Sequence, residues 1–319
     1  MTEFELIRRF FDRGPLRRTE LGIGDDAAVL DLRGEHLVTC TDMLIEGRHF
    51  FVGTDPAAIG HKSLAVNLSD LAAMGAQPIA FALALALPSV DESWLSAFAN
   101  GLFSAADAAG CELLGGDTTR GPLNICITAY GSVSAGAAIR RDRAEPGEDI
   151  WVSGALGAAS AAVRLRSSLA GPDRFTGLPA ALARRLDWPE PRLALGLALR
   201  HIASAAIDIS DGLIADLSHI AERSRTGMHL TADDIPVDPA LSSLFSTPDA
   251  LRLALNGGDD YELAWTAPAE NRVAIDGIAA RLGLSATRIG SVHAGEGIKV
   301  TDRGGKPIIQ IPDGHDHFA

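Results

Sequence analysis

Two adjacent carboxylates, Asp25 and Asp26, follow a glycine turn in "LGIGDDAAVL", residues 21–30. Such turns usually bring backbone N–H groups up to a phosphate, so negative side chains are out of place there unless a cation lies between. Other aspartates fall at the ends of apparent elements: Asp42 closes "TCTD", Asp117 sits in "GGDTTR", and Asp208 ends "AAID" with Asp211 shortly after it. Asp259 and Asp260 occupy another glycine turn, "NGGDDYEL", and Asp70 shares a helical face with Ser63 and Asn67. Gathered together, each close pair of carboxylates repels by about 4 kcal/mol at an effective dielectric of roughly 20. Oxygen ligands without His or Cys companions suit magnesium, which takes one or two carboxylates together with substrate phosphates. The acidic turns then hold the metal, and the metal holds the phosphate.

Most of these residues also have an ordinary structural explanation. Asp211, just before a helix, is by default an N-cap. Asp70, with Ser63 and Asn67, reads as a solvated helix face. Asp117 and Asp259 tolerate turn conformations. Asp42 and Asp208 are harder to dismiss, because each ends an apolar β run where a lone carboxylate is partly desolvated. Two familiar phosphate motifs are absent. Gly22 to Ala27 matches GxGxxA, but "RRTE" precedes it and a strand follows, the reverse of the dinucleotide order. "IGHKS" lacks the earlier glycine of a P-loop.

The elements that must position these residues are mixed. "AAVLDL" and "HLVTCTD" read as strands. A helix starts near Pro56, closes at Gly75 and buries Ile59, Leu64, Leu68, Leu71 and Ala72. "PIAFALALAL" reads as a strand, followed by a helix opened by a capping box from Ser89 to Glu92. "CELL" and "LNICITAYGSV" are strands, with "GGDTTRGP" as the turn between them. Residues 136–147 lose hydrophobic period and gain Gly, Pro and Arg, which marks a boundary. Beyond it come strand "DIWVSG", helices over about 157–170 and 190–203, and strand "AAIDIS". The helix "DGLIADLSHIAERS" has one apolar stripe of Leu213, Ile214, Leu217, Ile220 and Ala221. Strands "YELAWTA", "TRIGSV", "IKVT" and "PIIQI" follow. The mixture predicts two α/β or α+β domains, 1–137 and 148–319.

Bulk properties narrow the function classes. A net charge of −13, from 28 basic and 41 acidic residues, argues against nucleic-acid or anionic-membrane partners and suits a protein that collects cations. Lysine occurs only at Lys62, Lys299 and Lys306, so phosphate charge falls to arginine or metal. Cys40, Cys111 and Cys126 form no CxxC pair and no zinc spacing, which fits a reducing compartment. "MTEFELIRRFFDR" is charged and amphipathic rather than a signal peptide. The apolar run "IAFALALAL" is about half of the ~20 residues that span a bilayer. These features predict a soluble, cytoplasmic protein.

Seven segments occur in order over nearly the whole chain: "LGIGDDAAVL", "TCTDMLIEGRHF", "KSLAVNLSDLAAMGAQP", "LLGGDTTRGPL", "AIDISDGLIADLSHI", "NGGDDYEL" and "GHDHF". Together they resemble the thiamine-monophosphate kinases, of the aminoimidazole-ribonucleotide-synthetase-like superfamily. "GGDT" and "SDG" are shared across that superfamily, whereas "AVNLSDLAAMGA", "GRHF" and the "DHF" end are particular to the kinases. The resemblance implies two domains, each a mixed sheet packed with helices, an active site in the cleft between them, and a homodimer built mainly on the N-terminal domains. It implies direct, Mg-assisted transfer of the ATP γ-phosphoryl group to thiamine monophosphate, giving thiamine diphosphate and ADP.

By motif position, Asp26, Thr41, Asp42, Asp70, Asp117 and Asp208 would surround several Mg²⁺ ions, with Asp211 on a further ion. Cys40 is in the same ligand segment, with at most its backbone carbonyl contributing. Gly116, Asp117, Arg141 and Ser210 would bind ATP, and His49, Asp259 and Pro312 would face the thiamine phosphate. Asp42, Asp70, Asp117 and Arg141 would form the catalytic set. Three positions depart from the kinase pattern: Cys40 replaces Ser or Thr, Asp259 replaces Glu, and Pro312 stands where an aromatic ring would stack. A phosphate-monoester acceptor, with second pKa near 6, needs alignment and charge cancellation rather than a base. The rival readings are a selenophosphate or aminoimidazole ribonucleotide synthetase and a non-catalytic nucleotide- and Mg-binding protein. Selenophosphate synthetases would carry an early Cys and Lys, but here no Cys precedes Cys40 and no Lys precedes Lys62. The intact aspartate set argues against lost catalysis.

Overall fold

The longest apolar run of the sequence becomes an inner strand of a four-stranded sheet. The computed structural model describes residues 9–11, 19–21, 29–30, 32, 34–169, 171 and 173–308. Asp25, Asp26, Pro312 and the "GHDHF" end lie outside the described residues. The chain divides into two units, Met1–Leu71 with Ala76–Gly136, and Ala72–Gly75 with Ala137–Ala319.

In the first unit, β1 (Thr19–Leu21) pairs antiparallel with β2 (Val29–Leu30). There follow β3 (His36–Ile45), α1 (Pro56–Ala73), β4 (Gln77–Leu87), α2 (Glu92–Ala109), β5 (Glu112–Arg120) and β6 (Asn124–Val133). The sheet order is β3-β6-β4-β5, with only β4 and β5 parallel. A parallel pair needs a crossover, which α2 supplies. One sheet face is dry: Phe81, Leu83, Leu85, Ile125 and Ile127 are buried. Helices α1 and α2 pack so closely that a Cβ on Gly101 would fall 1.8 Å from the Ala57 carbonyl oxygen.

Three local expectations are corrected here. Helix α2 is capped by Asp91, which accepts from the Ser93 and Trp94 amides, rather than by Ser89. Ser63 and Asn67 are fully buried, not a solvated face. Their side chains satisfy themselves on α1's own carbonyls, Ser63 donating to Ile59 and Asn67 to Ser63, which lets them sit in a dry environment. "GGDTTR" is strand β5 rather than a turn. Gly116, at φ +152°, is required there because a Cβ would fall 1.7 Å from the Leu83 carbonyl oxygen.

The second unit holds β7 (Asp149–Ser153), α3 (Ala158–Ser168), a single turn over Asp173–Thr176, α4 (Ala180–Asp187), α5 (Leu193–Leu199) and β8 (Ala205–Asp208). Then come α6 (Leu213–Ser224), β9 (Gly227–Thr231), α7 (Thr247–Asn256), β10 (Leu263–Ala267), α8 (Arg272–Leu282), β11 (Ala286–His293) and β12 (Gly297–Thr301). The sheet runs β12-β9-β11-β7-β10-β8, antiparallel except for β12 with β9. Strands β7, β8 and β10 are buried along their whole length, because alternate residues feed two cores. Ile150, Val152 and Ile207 join Leu213, Leu217 and Ile220 of α6. Trp151, Ala206 and Trp265 point the other way and join Leu195 of α5 with Ile275 and Ile278 of α8. The predicted stripe of α6 is buried throughout. The helices expected over 157–170 and 190–203 are shorter, and α4, α7, α8 and β9 were not anticipated. No helix among the described residues is long and apolar enough to cross a membrane.

Candidate active site

Strand β3 sends alternate side chains to opposite faces, and this sorts its predicted ligands. The Cys40 thiol donates to the Asn67 carbonyl at 3.3 Å, so Cys40 and its face partner Asp42 lie on the α1 side. Asp70 is one turn further along α1 from Asn67, and both aspartates are half-buried. Thr41 is on the other face, its hydroxyl 2.9 Å from that of Thr128. The structure therefore brings Asp42 toward the helix that carries Asp70, and turns the Thr41 side chain away from that helix. His49 stands in the turn after β3, where its Nδ1 accepts from the Ile45 amide at 3.0 Å. That bond makes Nε2 the protonated nitrogen of the neutral ring.

Asp117 is exposed on β5, in register with Ala84, which itself pairs with Cys126 opposite Met43. It therefore faces away from Asp42. β3 and β5 are the two edges of the sheet, three strand spacings apart, or about 14 Å. Within this unit Asp42 and Asp117 are not brought together on one ion.

In the second unit, two motifs are laced into one loop pair. Asp208 ends β8 at 3% exposure, and Ser210 and Asp211 follow, half-buried. The amides of Asp259 and Tyr261 donate to the carbonyls of Ser210 and Ile209, both at 2.9 Å, and the Ile209 amide donates to Glu262 at 2.8 Å. A Cβ on Gly258 would fall 2.2 Å from the Ser210 carbonyl oxygen, so "GGDDYEL" reaches "ISDG" only through glycine. Asp211 does not cap α6; Gly212 holds that position. The loop amides of Ser210, Asp211 and Gly212 all donate to Asp216, a residue the sequence reading passed over. Burial pushes the Asp216 carboxyl up to about 8, reinforced by the charges of Asp208 and Asp211 and opposed by the amides it accepts from.

Asp259 and Tyr261 both adopt left-handed backbone, at φ 67° and 50°, and the Tyr261 hydroxyl donates to Asp259 at 2.9 Å. Strain of that kind persists where the surroundings over-determine it. The anchors are the next carboxylates along. Glu262, 1% exposed, accepts from Arg192 Nε at 2.6 Å, Arg185 at 2.8 Å and Ser153 at 2.6 Å. Burial alone would raise its pKa, but the Arg192 hydrogen bonds and then the charges of Arg192 and Arg185 hold it below the usual range. These partners are 70 and 77 residues away, too far for a local sequence signal. Arg141 is exposed, and its carbonyl accepts from Ser224, while its neighbour Arg140 is the one paired with Asp142.

Asp260 accepts from the Gly157 amide at 2.8 Å through one oxygen, and its other oxygen is buried without a hydrogen-bond partner. Burial pushes this carboxyl up to about 8, against the Gly157 amide and the Arg185 charge. The unfolded group titrates near 4, so between those values the folded state holds a proton the unfolded state has lost. Its contribution is therefore full below about pH 4 and declines as pH rises toward about 8. Asp260→Asn keeps an oxygen for Gly157 and cannot ionise. It should melt above the parent at about pH 8.5, and the gap should close near pH 5. Equal melting gaps at both pH values would show that Asp260 does not hold that proton.

Among the described residues, no three His, Cys, Asp or Glu side chains converge on a point that would hold a metal ion by themselves. The carboxylates occur instead in ones and twos: Asp42 is on the face of β3 toward the helix that carries Asp70, and Asp208 and Asp211 share one loop with Ser210. Such sets suit magnesium bound jointly with phosphate, which keeps water and phosphate ligands rather than filling a protein cage.

Comparisons with known proteins cover almost the whole chain. Residues 24–133 match the AIR synthase related protein N-terminal domain, and residues 145–303 match the C-terminal domain of the same family. A thiamine-monophosphate kinase of Salmonella typhimurium is 44% identical over 99% of this chain and 98% of its own. The crystal structure of thiamine-monophosphate kinase from Stenotrophomonas maltophilia superposes with a TM-score of 0.85 at 48% identity, covering 95% of this chain and 96% of that one. The structure of AaThiL complexed with AMPPCP and TMP has a TM-score of 0.77 at 31% identity, covering 93% and 92%.

Proposed function

The chain belongs to the thiamine-monophosphate kinase family, and from that premise we propose that its aspartates form a metal scaffold between two phosphate-bearing substrates. It is an ATP-dependent phosphotransferase that converts thiamine monophosphate to thiamine diphosphate and releases ADP. The observation that carries this is the full-length match to a relative solved with AMPPCP and TMP together. In the reaction, an oxygen of the acceptor phosphate bonds to the γ-phosphorus, and the bridging oxygen of ATP leaves with ADP.

Magnesium, when bound, cancels phosphate charge and orients the two substrates. In the first unit Asp42 and Asp70 would hold magnesium, with Thr41 beside them, and in the second unit Asp208 and Asp211 would hold it. Asp26 completes this set in our reading, although it lies outside the described residues. Cys40 contributes packing against Asn67. Arg141 is exposed and long enough to clamp the polyphosphate, and the Ser210 hydroxyl and the backbone of Gly116 would meet ATP. On the acceptor side, His49 offers an Nε2 donor to phosphate, and Asp259, steadied by Tyr261, suits the thiazolium cation. Pro312 would contribute only apolar contact where a ring would stack. The acceptor is already an anion at neutral pH, so no general base is required.

Measuring ADP formation with thiamine monophosphate, with thiamine, and with neither tests this reading. Turnover should require the monophosphate and cease in EDTA. Comparable turnover with thiamine would contradict it.

We extend the reading to a homodimer formed through the open face of the four-stranded sheet. Leu37, Met43 and Ile45 alternate along β3 and are 46%, 50% and 39% exposed. A second copy covering that row would also approach the far-edge Asp117, which one copy holds apart from Asp42. A monomeric mass by sedimentation at micromolar concentration would remove the proposal. That Cys40, Cys111 and Cys126 form no disulfide among the described residues supports a cytoplasmic location, which cell fractionation tests.

A further inference from the structure

We propose that Asp216 is a positioning residue: one oxygen of its carboxyl group fills the nest of amides at the head of α6 and so fixes the loop that presents Asp208, Ser210 and Asp211. The inference rests on the reading that this loop meets metal and nucleotide. One oxygen of Asp216 accepts three consecutive amides, from Ser210 at 3.0 Å and from Asp211 and Gly212 at 3.1 Å. Consecutive amides converging in this way make a concavity that binds anions, and at a helix start it is a natural phosphate seat. Here the protein's own side chain has taken it.

An acidic residue in a first helical turn is ordinarily an exposed partner of the helix dipole. Asp216 does not fit that description. It is 3% exposed and reaches backward four to six residues, to amides at and before the cap. Gly212, the cap itself, sits at φ +125°, where a Cβ would fall 2.8 Å from the Asn256 carbonyl carbon. The loop is thus held from outside by backbone packing and from inside by Asp216. Two consequences follow. The amides of Ser210, Asp211 and Gly212 are not available to ATP, so its phosphates depend on cations and arginine. Asp216 acts through a single accepting oxygen, which an asparagine would also carry.

Asp216→Asn and Asp216→Ala, compared with Asp211→Asn, separate these points by KM for ATP, KM for thiamine monophosphate, kcat and melting temperature. Asparagine keeps the accepting oxygen and should hold KM for ATP within about threefold of the parent, whereas alanine should raise it about tenfold or more. The KM for thiamine monophosphate should move much less in either variant. If Asp211→Asn weakens ATP use and Asp216→Ala does not, the positioning role is overturned and the site reading stands. If Asp216→Ala does not fold, Asp216→Asn decides, because loss of ATP use in that variant would overturn the acceptor role. If Asp211→Asn leaves the ATP and metal requirements unchanged, the loop is not the nucleotide site and the proposal falls with that reading.

Discussion

Asp42→Asn and Asp70→Asn should each lower turnover by about 100-fold or more without unfolding the protein. Asp42 lies on the α1 side of β3, and Asp70 lies a turn beyond Asn67, which Cys40 of the same strand contacts. Asparagine preserves the shape of either side chain but removes the charge that a hard cation and a polyphosphate require. Neither residue is fully buried, and removing one charge from an acidic site relieves repulsion. Melting in EDTA should therefore hold or rise, while the Mg²⁺ concentration for half-maximal turnover should increase. Near-normal turnover at low Mg²⁺ in both variants would show that these aspartates are not the ligands.

The largest stability effect is expected from Glu262→Ala. The substitution leaves Arg185 and Arg192, with side chains 22% and 13% exposed, facing an empty position. Removing one partner of a buried ion pair typically costs about 3–5 kcal/mol, because the remaining charge stays desolvated. For a chain of this size that corresponds to a fall in melting temperature of the order of 10 °C. Ser153 also loses its acceptor, and it in turn receives the Leu263 amide, so the start of β10 should loosen. Asp259 and Tyr261, held in left-handed backbone next to this anchor, should relax, and KM for thiamine monophosphate should rise with the loss of stability. A melting temperature within about 2 °C of the parent would show that the clamp does not hold the loop.

Much of the scaffold was legible because its signals are local. The stripe of α6 and the apolar run of β4 follow from hydrophobic period alone. Ser63 and Asn67 misled for a physical reason: polar residues that bond to their own helix can be buried, and spacing does not reveal it. Gly115 and Gly116 read as a turn, but both lie in a strand, and Gly116 is where that strand passes close to Leu83. The candidate site was legible as a set of aspartates and not as an arrangement: Asp208 ends β8 as expected, whereas Asp42 and Asp117, expected at a strand end and in a turn, lie inside β3 and β5. Side-chain alternation on β3 separates Thr41 from Asp42, and strand order separates Asp42 from Asp117; both are properties of pairing. Asp216 looks like any acidic residue in a first turn, and only its burial and its three amides identify it. Glu262 with Arg185 and Arg192 depends on contacts between residues 70 and 77 positions apart in the sequence.

The central claim is that this protein holds nucleotide phosphate through metal on carboxylates and not through a backbone nest. Calorimetric titration of a non-hydrolysable ATP analogue, with Mg²⁺ and again in EDTA, tests it most directly. Binding should weaken by about 100-fold or more in EDTA, because bare phosphates then meet uncompensated aspartates. An affinity in EDTA equal to that with Mg²⁺ would contradict the account.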